Sequence, residues 1–163
     1  MPDWITHILV AWSICTLLGV KFRQFNSENT VLCMVGALIP DIVKISIPLL
    51  YFDIYSYYWL AALHTPAGSL VTASVLSLFF KDKRMALILF ILGLSTHYML
   101  DLLLLDMNSG VYFFYPFSWS LWQFGLISNF DINVTIASIL LALIVYVLSF
   151  KLKKTGLIKS NKA

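Results

Sequence analysis

Long apolar runs interrupted by short polar segments dominate the chain: Trp4 to Val20, about Thr30 to Leu50, about Tyr57 to Phe80, Met85 to about Leu105, and Asn133 to Phe150. Each run approaches the roughly 20 residues that an α-helix needs to cross a hydrocarbon core, and none alternates as a membrane-spanning strand does. The pattern predicts an all-α integral membrane bundle of about five transmembrane helices. Pro40, Asp41, Lys44 and Pro48 interrupt the second run, so a broken or re-entrant helix is expected there. No internal repeat is visible.

The polar segments carry an orientation signal. Lys21 and Arg23 follow the first run, Lys81, Lys83 and Arg84 the third, and Lys151, Lys153, Lys154, Lys159 and Lys162 the fifth. These are ten of the eleven basic residues, and in a five-span topology they share one side. The positive-inside rule makes that side cytoplasmic and places the N-terminus outside. Residues 1–150 then form a single transmembrane helical domain, and residues 151–163 a basic cytoplasmic tail.

Composition agrees with this reading, since 60% of the 163 residues are hydrophobic and only 12% are charged, against about 25% charged in a soluble domain. The net charge of +3 comes from loop clusters that orient helices, so the expected partner is membrane lipid and not nucleic acid. Cys15 and Cys33 have neither CxxC nor zinc-finger spacing and read as packing thiols. The first run lacks a basic leader and is expected to be retained as a helix. Oligomeric state is left open.

Between the fourth and fifth runs, Tyr112, Phe113, Phe114, Tyr115, Phe117, Trp119, Trp122 and Phe124 make an aromatic segment with no charge. Such rings favour the membrane interface, as an anchor or as a cover over a substrate.

Ionisable groups inside apolar runs are costly and usually face the bundle interior. All three histidines, His7, His64 and His97, lie in such runs, with Asp41 and Asp101. In the predicted topology, at about 1.5 Å of rise per residue, all five reach a similar depth in the outer half. His97 and Asp101 are four residues apart and project from one helical face. Imidazoles and carboxylates together suit a divalent ion, with zinc expected and manganese or iron also compatible. The competing reading is a packing network in which these groups hydrogen-bond one another and Asp41 pairs with Lys44.

The segments Gly36-Ala37-Leu38-Ile39-Pro40-Asp41, His64-Thr65, Gly93 to Asp101, and Gly110 with Tyr115-Pro116-Phe117-Ser118 resemble, in order and spacing, the YdjM-like membrane-bound metal-dependent hydrolases of prokaryotes. Thr6-His7 matches that family's N-terminal histidine. The resemblance covers roughly residues 5 to 120, and a more distant one extends to the zinc-dependent phospholipase C helical domain. It implies metal-ligand roles for His7, Asp41, His64, His97 and Asp101. Two departures stand out: Asp41-Ile42-Val43-Lys44 replaces the usual Pro-Asp-x-Asp-His continuation, and Tyr58-Trp59-Leu60-Ala61 lacks the usual His-Arg pair. Both point to a one-metal or degenerate site.

Two functions follow. The first is a membrane-embedded metal-dependent hydrolase with an outward-facing site, Asp41 or Asp101 as general base and Lys44 stabilising an anionic transition state, acting on a lipid or lipid-linked phosphoester. The second is a non-enzymatic membrane protein serving metal binding, transport or structure.

The topology is open to direct test. Cysteines introduced at Asp53 and Ser109 should react with an impermeant thiol reagent in intact cells, and one at Lys83 should not; the opposite labelling pattern would reverse the assigned orientation.

Overall fold

A computed structural model describes residues 3–45, 62–105, 110–128 and 132–154. Five α-helices lie among the described residues: α1 (Trp4–Lys21), α2 (Ser27–Leu38), α3 (Pro66–Ser77), α4 (Lys83–Leu103) and α5 (Ile132–Lys154). Of these, α1, α4 and α5 are long and apolar enough to cross a membrane. The expected all-α membrane bundle is what the chain forms.

Helices α2 and α3 have 12 residues each, about 18 Å at 1.5 Å per residue, which is short of a hydrocarbon core. Proline explains both ends. Pro40 has no N–H to give the Gly36 carbonyl, and Ile39 N bonds that carbonyl instead at 3.3 Å. This three-residue step tightens the chain into a 3-10 segment, Pro40–Ile45. At the other end, Thr65 caps α3 by accepting from Gly68 N at 3.1 Å, and Pro66 fills the first helical turn. A 3-10 turn, Ala62–His64, precedes this cap. The broken second span is thus present, and the third apolar run is helical from Pro66 onward among the described residues.

The starts of α1, α2 and α4 are capped by acceptors the sequence supplies. Asp3 accepts from Thr6 N, Asn26 from Asn29 N, and Asp82 from Met85 N, at 2.8 to 2.9 Å. Asp3 also accepts a hydrogen bond from Thr135 in the first turn of α5 and so joins the two terminal spans. Below that link, α5 turns Ser138, Ala142, Val145 and Ser149 inward. These positions repeat every three or four residues, which makes one helical stripe against α1. Its other faces, rich in Ile and Leu, are exposed and suit lipid.

At the centre α2 packs along α4, with α1 against both and α3 on the far side of α4. The α2–α4 contact depends on two glycines. A Cβ at Gly93 would lie 2.2 Å from the Cys33 carbonyl oxygen and 2.5 Å from Ala37 N, and one at Gly36 would lie 2.7 Å from the Phe90 carbonyl oxygen. Without side chains here, the two backbones touch, as small residues permit in membranes.

Past α4, Leu104–Leu105 (β1) pairs in parallel with Ile127–Ser128 (β2). Between them Val111 and Trp122 exchange both backbone hydrogen bonds at 2.9 and 3.0 Å, closing the aromatic segment into a hairpin-like loop. Val111 is buried with Ile39, Phe90, Leu94 and Tyr98, while Phe117 and Trp119 are 95% and 70% exposed. Uncharged exposed rings beside the ends of spanning helices have the composition of an interfacial belt. The lysines beyond Lys154, and Asp53, Asp106 and Tyr58 to Ala61, lie outside the described residues.

The backbone contact predicts that Gly93→Ala destabilises the protein by about 1–3 kcal/mol or more, the usual range for overpacking. The exposed Ile88→Ala should do far less. Thermal unfolding in detergent with equal midpoints for both variants would count against the contact.

The Asp3 link predicts a pH dependence. Partial burial raises the Asp3 carboxyl, but hydrogen bonds from Thr135 and Thr6 outweigh this and hold it below the usual carboxylate value. Its stabilisation is therefore present above about pH 4 and lost as pH falls through the lowered folded-state value. The stability difference between wild type and Asp3→Ala should shrink on acidification from pH 6 to pH 3, and a constant difference would contradict the link.

Candidate metal centre

The five ionisable residues come together from four local elements. His7 lies in the second turn of α1, behind the Asp3 cap. Asp41 follows Pro40 in the 3-10 segment, and His64 ends the second 3-10 turn, directly before the cap of α3. His97 and Asp101 lie one turn apart on α4. Both breaks in helical structure therefore carry a candidate ligand. His7, His97, Asp41 and Asp101 are at most 2% exposed, whereas the His64 side chain is 18% exposed.

The fold gathers all five. His97 Nε2 lies 3.1 Å from Asp101 Oδ2 and 3.4 Å from His64 Nε2. His64 Nε2 lies 3.4 Å from Asp101 Oδ2 and 3.5 Å from Asp41 Oδ1. On the other carboxylate oxygen, Asp101 Oδ1 is 3.6 Å from His7 Nε2. The His7 and His97 rings stack with centroids 4.0 Å apart. The side chain of Lys44 lies outside the described residues.

One hydrogen bond orders this cluster electronically. His97 Nδ1 lies 2.8 Å from the Ala37 carbonyl oxygen, which can only accept, so the Nδ1 proton is committed to it. In a neutral ring the Nε2 lone pair then faces the Asp101 carboxylate and the His64 Nε2 atom. Oxygen and nitrogen lone pairs directed at one another repel, and in a buried site little solvent relieves them. A cation between them removes the repulsion. Imidazole anchored through one nitrogen to a backbone carbonyl, with the other presented to an ion, is the usual arrangement of a metal-binding histidine.

The spacing permits a quantitative test of fit. Zinc–nitrogen and zinc–oxygen bonds of about 2.0–2.1 Å in a tetrahedron give ligand-to-ligand edges of about 3.3–3.4 Å. The four recorded edges among Asp41, His64, His97 and Asp101 run from 3.1 to 3.5 Å. A packing network would hold donors and acceptors near 2.9 Å. Three of these four separations exceed the ordinary hydrogen-bond range of about 2.7–3.2 Å. The donor set and its spacing fit a small divalent ion. Two triplets, His7–His97–Asp101 and Asp41–His64–His97, meet metal-site spacing, and His97 belongs to both.

Several contributors to the cluster were not singled out in the sequence. The Ala37 carbonyl carries no side-chain signal. Thr65-Pro66 is a readable helix start, and it moves His64 out of a helix interior into a turn. Tyr98 sits inside the His97 to Asp101 spacing; it is buried, packs edge-on against His64 and His97, and bonds Ser69 at 2.7 Å.

A multi-pass helical membrane protein with a buried His/Asp cluster at its helix breaks is the class that this fold and site define. The family described as YdjM inner membrane protein matches residues 1–158, and the chain belongs to that family. No curated protein and no solved structure matches it.

Proposed function

We propose that the chain is a membrane-embedded metal-dependent hydrolase whose divalent ion is held by His64, His97 and Asp101, with Asp41 as a fourth ligand that can give up its position to water, and with His7 on the second oxygen of Asp101. The observation that carries this reading is the commitment of His97 Nδ1 to the Ala37 carbonyl, which turns the Nε2 lone pair towards a carboxylate and a second imidazole. Mixed nitrogen and oxygen donors at tetrahedral spacing favour zinc, and manganese or iron accept the same groups. Bound there, such an ion lowers the proton affinity of water and polarises the bond to be cleaved.

The chain's own residues supply the remainder. His64 is the exposed member of the cluster, so a reacting molecule approaches on its side. Asp41 adjoins His64 at 3.5 Å and takes the proton of the attacking water as general base. Asp101, engaged by His97 and His64 on one oxygen and by His7 on the other, holds the imidazoles in place. Lys44, three residues beyond Asp41, is assigned the stabilisation of negative charge on the substrate.

The substrate class proposed is a lipid or lipid-linked phosphoester. Support comes from the uncharged aromatic loop, whose Val111 packs in one cluster with Tyr98 and whose exposed rings suit a lipid interface. A purely structural packing network is disfavoured by the three separations of 3.4 to 3.5 Å that link His64 to His97, Asp101 and Asp41, which are longer than ordinary hydrogen bonds.

Metal content provides the test. Purified wild type incubated with zinc or manganese should retain about one ion per chain, and folded His97→Ala and Asp101→Ala should lose at least an order of magnitude in affinity. Equal and negligible metal in all three would leave only the packing role.

A further inference from the structure

A chain of hydrogen bonds leads from α4 through α3 to the turn that carries His64. Ser69 Oγ lies 2.6 Å from the Leu63 carbonyl oxygen and 2.7 Å from Tyr98 Oη. A carbonyl can only accept, so the single Ser69 hydroxyl proton goes to Leu63, and the Tyr98 hydroxyl must donate to Ser69. The direction is therefore fixed: Tyr98 to Ser69 to the backbone of the residue before His64. Ser69 is fully buried and Tyr98 is 6% exposed, so neither bond competes strongly with water.

The same turn is held from two other sides. Thr65 Oγ1 donates to the Ala62 carbonyl at 2.7 Å, and Gly68 lets the turn lie on α3, because a Cβ there would be 2.1 Å from the Ala62 oxygen. These contacts are local, within six residues. The Tyr98–Ser69 bond, by contrast, ties the backbone of the turn to α4, which carries His97 and Asp101. Tyr98 also packs edge-on beside two of the imidazoles, with ring centroids 6.2 Å from His64 and 5.4 Å from His97.

We infer that Tyr98 and Ser69 are positioning residues that hold His64 in register with His97 and Asp101 across the α3–α4 interface. Tyr98 does not serve as a proton donor to substrate, because its proton is engaged by Ser69. The inference rests on the metal reading above, since the register it protects is that of a ligand. It adds a reason why His64, on a short turn and partly exposed, keeps its Nε2 within 3.4 Å of two groups on another helix.

The test uses the full chain in detergent with cobalt(II) as the probe, reading affinity and the visible absorption bands that report coordination. Wild type should bind cobalt with the bands of a low-coordinate site. Tyr98→Phe and Ser69→Ala should each bind about 10- to 100-fold more weakly, the usual effect of removing support behind a ligand. Ser69→Ala leaves both the buried Tyr98 hydroxyl and the Leu63 carbonyl without their partner, and adding Tyr98→Phe relieves the first of these. The double variant should thus be more stable to heat than Ser69→Ala alone while its cobalt affinity stays as low, a split that a merely structural pair would not give. In a His64→Ala background, Tyr98→Phe should change affinity by less than about twofold, because coupled effects do not add. Wild-type affinity and spectrum in Tyr98→Phe and Ser69→Ala would overturn the inference while leaving the metal site intact. Failure of wild type to bind cobalt would overturn the metal reading itself, and this inference with it.

Discussion

Glycine at positions 36 and 93 lets the α2 and α4 backbones touch, and that approach brings the Ala37 carbonyl within 2.8 Å of His97 Nδ1. Much else in the molecule follows from this crossing. With larger residues the helices would stand apart, His97 would lose the acceptor that sets its tautomer, and its Nε2 lone pair would no longer be directed at Asp101 and His64. Close packing of small residues is how membrane helices associate when lipid is as apolar as their side chains. Here the same packing also sets the electronic state of a buried imidazole.

A second constraint is the placement of helix breaks. Pro40 ends α2, and Thr65-Pro66 begins α3, so two helices too short to cross the bilayer meet through 3-10 turns that pack against each other. Irregular backbone at membrane depth is tolerated only where protein buries it or where it lines a cavity. The chain uses these breaks to present Asp41 and His64 from turns, while His7, His97 and Asp101 project from continuous helices. Side chains from turns and from helices reach one point along different directions, which parallel helices alone would achieve less readily.

The aromatic loop links this interior to the membrane boundary. Phe124 N and Leu126 N bond the carbonyls of Leu102 and Leu103 at 2.6 and 2.9 Å, so the returning strand satisfies backbone groups that the end of α4 leaves open. Val111 fills the core beside Tyr98, and most of the loop's rings are exposed. The loop is thus fixed at its base one turn beyond Asp101 and apolar at its tip, which places an interfacial surface next to the cluster.

Much of this was legible in the residues themselves. Apolar runs of helical length and lysine clusters between alternate runs define a multi-pass bundle because the bilayer fixes both span length and the cost of burying charge. The interruption at Pro40 and the five ionisable residues could be read directly, since proline lacks a donor and buried charge demands compensation. The length of α3 was hidden because hydropathy does not register a cap, and Thr65-Pro66 starts the helix inside a run that looks continuous. Tertiary structure decided what depends on separations between distant segments: the 60-residue contact of His97 with Ala37, the 29-residue bond of Ser69 with Tyr98, and the 3.1 to 3.6 Å spacing of the cluster. Residue types limit which groups can pair, but the angle and closeness of helix crossings choose among the pairs, and those are fixed only when all the helices pack together.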